Sequence, residues 1–174
     1  MIIFPQFGQV LFHPFSFTLQ RYDRHLMKPE RGIPAKGKLL LAEPLLGDPN
    51  FDRTVILLAE YQESGSVGFV LNRPTEFRLP ELVPELAALD FPVFYGGPVQ
   101  QDQLYFLYRK GNLIPESQSI NGNIFWGGDL SAIKETVKVG LLGKDDLRFF
   151  LGYSGWGERQ LDREMEENSW IALD

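Results

Sequence analysis

From Lys38 onward, short apolar runs alternate with polar segments rich in Gly and Pro. Lys38–Glu43 (KLLLAE) and Thr54–Tyr61 (TVILLAEY) are too short for amphipathic helices and are bounded by turn formers, which predicts strands. Gln62–Ser66 (QESGS) reads as a turn and Val67–Asn72 (VGFVLN) as the returning arm of a hairpin. Further strands are expected at Val93–Tyr95, at Leu104–Arg109 with a Gly111-Asn112 turn behind it, at Ile124–Trp126, at Leu147–Tyr153 and at Trp170–Leu173. Three stretches change period. Leu82, Leu86 and Leu89 predict a helix over Leu79–Leu89, although Pro80 and Pro84 suit only a first turn. Asp129 is placed to cap a helix through Val139, with Ile133 and Val137 on one face. Leu161 and Met165 place a helix over Glu158–Asn168, with Arg159, Asp162, Arg163, Glu166 and Glu167 outward and Gln160 and Glu164 turned toward Trp156 as a polar anchor or a ligand contact.

Most successive strands are joined by short connections rather than by helices, so the sheet is expected to be largely antiparallel, with helices packed against it in one α+β domain. Neither GxGxxG nor GxxxxGK[ST] occurs, and strand and helix do not alternate regularly, which argues against a doubly wound nucleotide fold. Residues 1–26 read differently. They carry no charge before Arg21, and Pro5 and Pro14 break the apolar run, so an export signal and a membrane span are both excluded on pattern. This stretch reads as a loosely held extension, as sequence upstream of a true start near Met27, or as an ordinary arm packing Phe4, Phe7, Phe12 and Phe15 on the domain. The expected organisation is an N-terminal extension over 1–36 and a domain over 37–174.

Composition narrows the chemistry. At 174 residues the chain can bury about 70% of its unfolded surface around one core. It has no cysteine, which removes disulfides, thiolate metal sites and cysteine nucleophiles and suits a cytoplasmic setting. Its net charge of −6 repels a phosphate backbone unless the cations cluster, and no helix-turn-helix or basic stripe is present, so direct nucleic-acid binding is not expected. With two histidines and no carboxylates at ligand spacing, no metal or other cofactor is expected.

The glycine-rich stretch Gly152-Tyr-Ser-Gly-Trp-Gly157 is the most conspicuous chemical candidate. It nearly matches G-x-S-x-G, the strand-to-helix elbow of serine hydrolases, but the closing glycine comes one position early. A nucleophilic Ser154 also needs a base, and His13 and His25 both lie in the N-terminal extension. The simpler reading gives these glycines to a sharp corner between strand and helix. Other polar groups gather at predicted strand ends: Asp48, Asp52 and Arg53 before one, Asn72-Arg73-Pro74 after another, Gly96-Gly97-Pro98 after a third. If these ends converge, Arg53, Arg73 and the glycine amides make an anion-receptive concavity; singly, each fits an ordinary turn or ion pair.

The segments GKLLLAEPLLGDPNFDRTVILL, GFVLNRP, FYGGPV and GYSGWGERQLDREMEENSW, in that order over about residues 37 to 172, resemble the YqgE/AlgH family of bacterial proteins. The resemblance implies an α+β domain with a curved, bulged, largely antiparallel sheet, a cytosolic setting and no established catalysis. It also brings a transcriptional-regulator label that no DNA-binding element here supports. Matching positions include Pro44, Phe51, Arg53, Asn72, Arg73, Gly96, Gly97, Gly152, Tyr153, Trp156, Gln160, Leu161, Glu164 and Trp170. The family commonly has alanine where this chain has Ser154, and Pro-Gly where it has Glu158-Arg159. The expectation is therefore a non-catalytic binding or regulatory protein, its partner a protein or small molecule of unknown identity. Its recognition cleft would be built from Arg53, Asn72, Arg73, Gly96, Gly97, Tyr153, Trp156, Gln160 and Glu164. The competing expectation is a hydrolase using Ser154 or Glu164.

Overall fold

In the computed structural model, residues 31–44 and 46–174 are described, so the arm's phenylalanines and both histidines lie outside the described residues. Ten strands form one large sheet: β1 Leu39–Ala42, β2 Val55–Gln62, β3 Gly65–Val70, β4 Pro74–Arg78, β5 Pro92–Tyr95, β6 Val99–Arg109, β7 Gln118–Ser119, β8 Ile124–Trp126, β9 Leu147–Trp156 and β10 Trp170–Leu173. Among the described residues three α-helices accompany it: α1 Leu79–Leu82, α2 Leu130–Lys138 and α3 Gln160–Glu166. The main path runs β10-β1-β2-β3-β9-β6-β8-β7, and the β4–β5 hairpin joins at β9. Every pairing is antiparallel except β5 with β9, where Phe94 faces Phe150. The expected α+β class and largely antiparallel sheet are what the chain forms.

β9 is the hub. Its first half lies between β5 and β6, and its second half lies beside β3, with Ser66 facing Trp156. The handover falls at Gly152, which takes φ +69°, and the pairing to β6 jumps there from Leu104–Leu151 to Val99–Tyr153. Bulging one strand this way bends it and increases its twist. The sheet curls far enough that a Cβ built on Gly37, just before β1, would sit 3.2 Å from the Asn121 Cβ at the opposite edge. Three apolar cores follow. The inner face of the curl encloses Leu57, Ala59, Phe69, Leu107, Ile120 and Phe150. Leu161 of α3 joins Leu40, Ile56, Leu58, Val70, Trp156 and Trp170 outside the first half. α1 and α2 close a third core around Phe106, Phe149, Ile133 and Leu79.

Several local expectations need correction. The sharp corner expected over 152–157 falls later, because β9 continues through Trp156 and the turn into α3 lies at Gly157–Arg159. The predicted helix over Leu79–Leu89 is two pieces, α1 and a 3-10 turn at Pro84–Leu86, because Pro84 has no N–H to continue the helical ladder. β4 was not anticipated; it opens on a proline and has no apolar alternation. The Asp129 cap is as expected, with its carboxylate accepting from the Ser131 N–H at 2.9 Å. Arg31 donates to the carbonyls of Asn168 and Trp170, and Gly32 bridges Ala172, so residues 31 and 32 pack on the C-terminal strand.

α3 is tied to the sheet by Tyr61 of β2, whose hydroxyl donates to Asp162 Oδ1 at 2.5 Å. That hydrogen bond, reinforced by burial and by the Asp162 charge, pushes the phenol up to about 12. A raised folded value means the contribution is intact below the unfolded value near 10 and is lost as pH rises through about 12. The stability gap between wild type and Tyr61→Phe is therefore expected to be level up to about pH 10 and to close toward pH 12, checked by urea denaturation across that range. A gap independent of pH would contradict this linkage.

Candidate functional site

The candidate residues fall into three linked stations. The first is a hub on the loop before β2. The Asn72 carboxamide accepts from Val55 N at 3.0 Å and donates to the Arg53 carbonyl at 2.8 Å. Arg73 donates to the carbonyls of Asn50 (2.7 Å), Asp52 (2.9 Å) and Pro49 (3.2 Å). Arg53 stands at φ +54° with an exposed side chain. The guanidinium of Arg73 thus faces backbone oxygens rather than a concavity open to anions, because a tight loop must satisfy its carbonyls locally. The anion-receptive reading of Arg73 is corrected accordingly.

The second station is the crossing of two glycine segments. The Gly96 carbonyl accepts from Val70 N at 2.9 Å and from the Ser154 hydroxyl at 3.1 Å, and Gly96 N donates to the Leu151 carbonyl at 2.8 Å. A Cβ at Gly96 would lie 2.2 Å from the Gly152 oxygen, and one at Gly97 would lie 2.3 Å from the Tyr153 carbonyl. Ser154 is fully buried in the middle of a strand. It occupies no elbow, and its hydroxyl is committed to a backbone oxygen.

The third station is aromatic. Trp156 and Trp170 both donate their indole N–H to Glu164 Oε2, at 2.9 and 2.7 Å, and Gln160 donates to Oε1 at 2.8 Å. Gln160 also accepts from Gly157 N at 2.9 Å, securing the turn into α3. The two indoles meet edge to face at 5.8 Å; Phe51 stacks on Trp156 at 6.4 Å and meets Trp170 edge-on at 5.4 Å. Such contacts bury area with defined geometry. Phe51 is delivered by the loop that Arg73 and Asn72 hold, so the first and third stations form one chain of contacts. Of the two readings open for Gln160 and Glu164, the polar anchor is the one the hydrogen bonds describe.

A cleft of about 260 Å³ opens beside this third station, bounded by Asp48, Phe51, Trp156, Gln160, Glu164, Glu167 and Ser169 among others. All of its charged lining groups are acidic, and among the described residues no cation pairs with Glu164. Tyr153 instead lines a separate cleft of about 440 Å³ with Glu60, Val67, Val99 and Trp156, and meets Tyr105 edge-on at 5.5 Å. The nine candidates therefore do not line one concavity. Trp156, Gln160 and Glu164 share a cleft, Asn72 and Arg73 build its wall from behind, and Gly96 and Gly97 lock the sheet beneath. In the sequence Phe51 and Trp170 stand only as motif positions; Trp170 closely follows the charged helix, which was the available signal, whereas Phe51 lies more than a hundred residues from it and offered none. No group of metal-ligating side chains occurs among the described residues.

The AlgH-like family profile matches residues 39–174. The chain belongs to the AlgH-like family. UPF0301 proteins of Cytophaga hutchinsonii and Chlorobium limicola are 45% and 44% identical over 140 and 138 residues, covering 80% and 79% of this chain and 77% and 74% of theirs. The solution structure of AlgH from Pseudomonas aeruginosa superimposes with a TM-score of 0.66 at 28% identity, covering 83% of this chain and 80% of that one. A Corynebacterium diphtheriae crystal structure shares the fold, with a TM-score of 0.72 at 24% identity over 88% of this chain and 82% of its own. The resemblance of the four segments thus rests on a match extending from β1 to the last residue. Within this AlgH-like chain, Arg159 stands at φ +51° as the cap of α3, a left-handed conformation that a glycine takes at less cost.

Proposed function

We propose that this AlgH-like protein is a non-catalytic, cytoplasmic binding and regulatory protein. In this reading its recognition site is the acidic, aromatic cleft beside Trp156, and it accepts a cationic group such as a guanidinium or ammonium of a partner. The carrying observation is a cleft lined by Phe51, Trp156, Asp48, Glu164 and Glu167 with no cation in its lining among the described residues. Aromatic faces and uncompensated carboxylates both favour cations. The commitment of Ser154 to the Gly96 carbonyl and of Glu164 to three donors leaves neither poised for the alternative hydrolase chemistry. Direct DNA contact finds no support in a net charge of −6.

Titration with agmatine, followed by tryptophan emission, is expected to saturate. The double variant Asp48→Asn/Glu167→Gln is expected to keep its melting temperature and bind about tenfold more weakly, a loss of about 1.4 kcal/mol. Equal binding by that variant contradicts the cleft assignment. Turnover of generic esters or phosphoesters that Ser154→Ala abolishes would replace the reading with an enzyme. Salt-sensitive binding to duplex DNA would replace it with a nucleic-acid regulator.

A further inference from the structure

A different site lies at the far side of the curled sheet. A groove of about 550 Å³, within the range of small-molecule pockets, opens there onto the inner core. Its apolar floor is formed by Leu57, Leu71, Leu107 and Ile124. Its mouth is cationic, although the chain as a whole carries −6. Arg109, Lys144 and Arg148 line it, and Lys110 stands beside it.

The carboxylates at this mouth offset only part of that charge, and among the described residues neither Lys144 nor Arg148 has an ion pair. Asp146 is already held by Lys110 at 2.6 Å, by Arg109 at 3.5 Å and by the Gly143 N–H at 2.8 Å. Asp145 is exposed. Arg148 is fixed in place: its Nη1 donates to the Leu71 carbonyl at 3.2 Å and its guanidinium lies 4.6 Å over the Phe94 ring. One end of the fork is thereby anchored, and its remaining N–H donors are left for a ligand. Lys144 is exposed and has no ion pair among the described residues.

We propose that this groove binds an amphipathic anion, an apolar chain lying on Leu57, Leu71 and Leu107 with a single terminal carboxylate or phosphate held by Arg148 and Lys144. The apolar floor alone would take any greasy molecule; the cations select the sign of the head group. This assignment is independent of the cleft beside Trp156, which is acidic and is lined by none of the same residues.

The test is calorimetric titration of the full chain with four probes below their micellar concentrations: decanoate, decyl phosphate, decylamine and acetate. Saturable binding is expected for decanoate or decyl phosphate, and the tighter of the two names the head group. Decylamine, which has the wrong charge, and acetate, which has no chain, are expected to bind at least tenfold more weakly. Lys144→Glu, an exposed position, is expected to keep the wild-type melting temperature and weaken the favoured probe at least tenfold. Arg148→Gln serves as a second variant whose free-state melting is measured alongside, because Arg148 also touches Leu71 and Phe94. Decylamine binding as tightly as decanoate, unchanged binding by Lys144→Glu, or no saturable binding of either anion overturns the proposal.

Discussion

Gly97→Ala is expected to cost more than about 4 kcal/mol, enough to leave little folded protein. Two costs combine. Gly97 takes φ +154°, a region that costs a side chain about 1–3 kcal/mol. Its new methyl would also lie 2.3 Å from the Tyr153 carbonyl carbon and oxygen and 2.4 Å from Ser154 N. Those atoms belong to the backbone of β9, which is fixed by β3 and β6, so relief requires moving the strand on which the sheet turns. Against a total stability of about 5–15 kcal/mol, that loss is a large fraction. Soluble yield and the urea midpoint measure it. Gly111→Ala, also at positive φ but with open space around its Cβ, isolates the conformational part and should lose far less. Equal losses in the two variants would refute the steric argument.

The same crossing shows what sequence reading reaches and what it misses. The hairpin of β2 and β3 and the capped helix α2 were legible because their signals are local: apolar runs around a turn, and an Asp before a helical period. The route of β9 was not. Three glycines and a serine in six residues read as a sharp corner between strand and helix, yet Gly152 is glycine because the Gly97 and Val99 oxygens would lie 2.6 and 2.7 Å from any Cβ. That requirement comes from residues more than fifty positions earlier, and no window along the chain contains it. Arg73 was misread for a related reason. A cation beside a strand end suggests a ligand, but its partners are carbonyls of a loop some twenty residues upstream. The helical repeat puts Gln160 and Glu164 on one face, and Glu164 reaches the Trp156 indole from it, whereas the second indole on Glu164 arrives from β10 and became visible only in three dimensions.

That second indole sets the other large expected effect. Glu164→Leu removes the shared acceptor of two buried tryptophans, Trp156 at 5% and Trp170 at 1% exposure. Each orphaned N–H costs about 1–3 kcal/mol, and the hydrogen bonds lost are the stronger, charge-assisted kind. An opposing term exists, because Glu164 has no cationic partner among the described residues and a neutral side chain avoids the cost of partly burying a charge. The carboxylate is only partly buried while both donors are buried, so the opposing term is the smaller one and a net loss of about 2–5 kcal/mol is expected. Glu164→Gln separates the two. It keeps one oxygen for the indoles but presents an amide N–H₂ to the Gln160 donor that Oε1 now accepts, so its loss should be intermediate. Urea midpoints rank the three proteins, and near-ultraviolet circular dichroism reports whether the indole pair keeps its edge-to-face packing. If Glu164→Leu is as stable as wild type, the indoles find other acceptors and the clamp is not what holds α3 to the sheet. If Glu164→Gln remains folded but no longer responds to agmatine, the carboxylate that fastens the two tryptophans also supplies charge to the cleft.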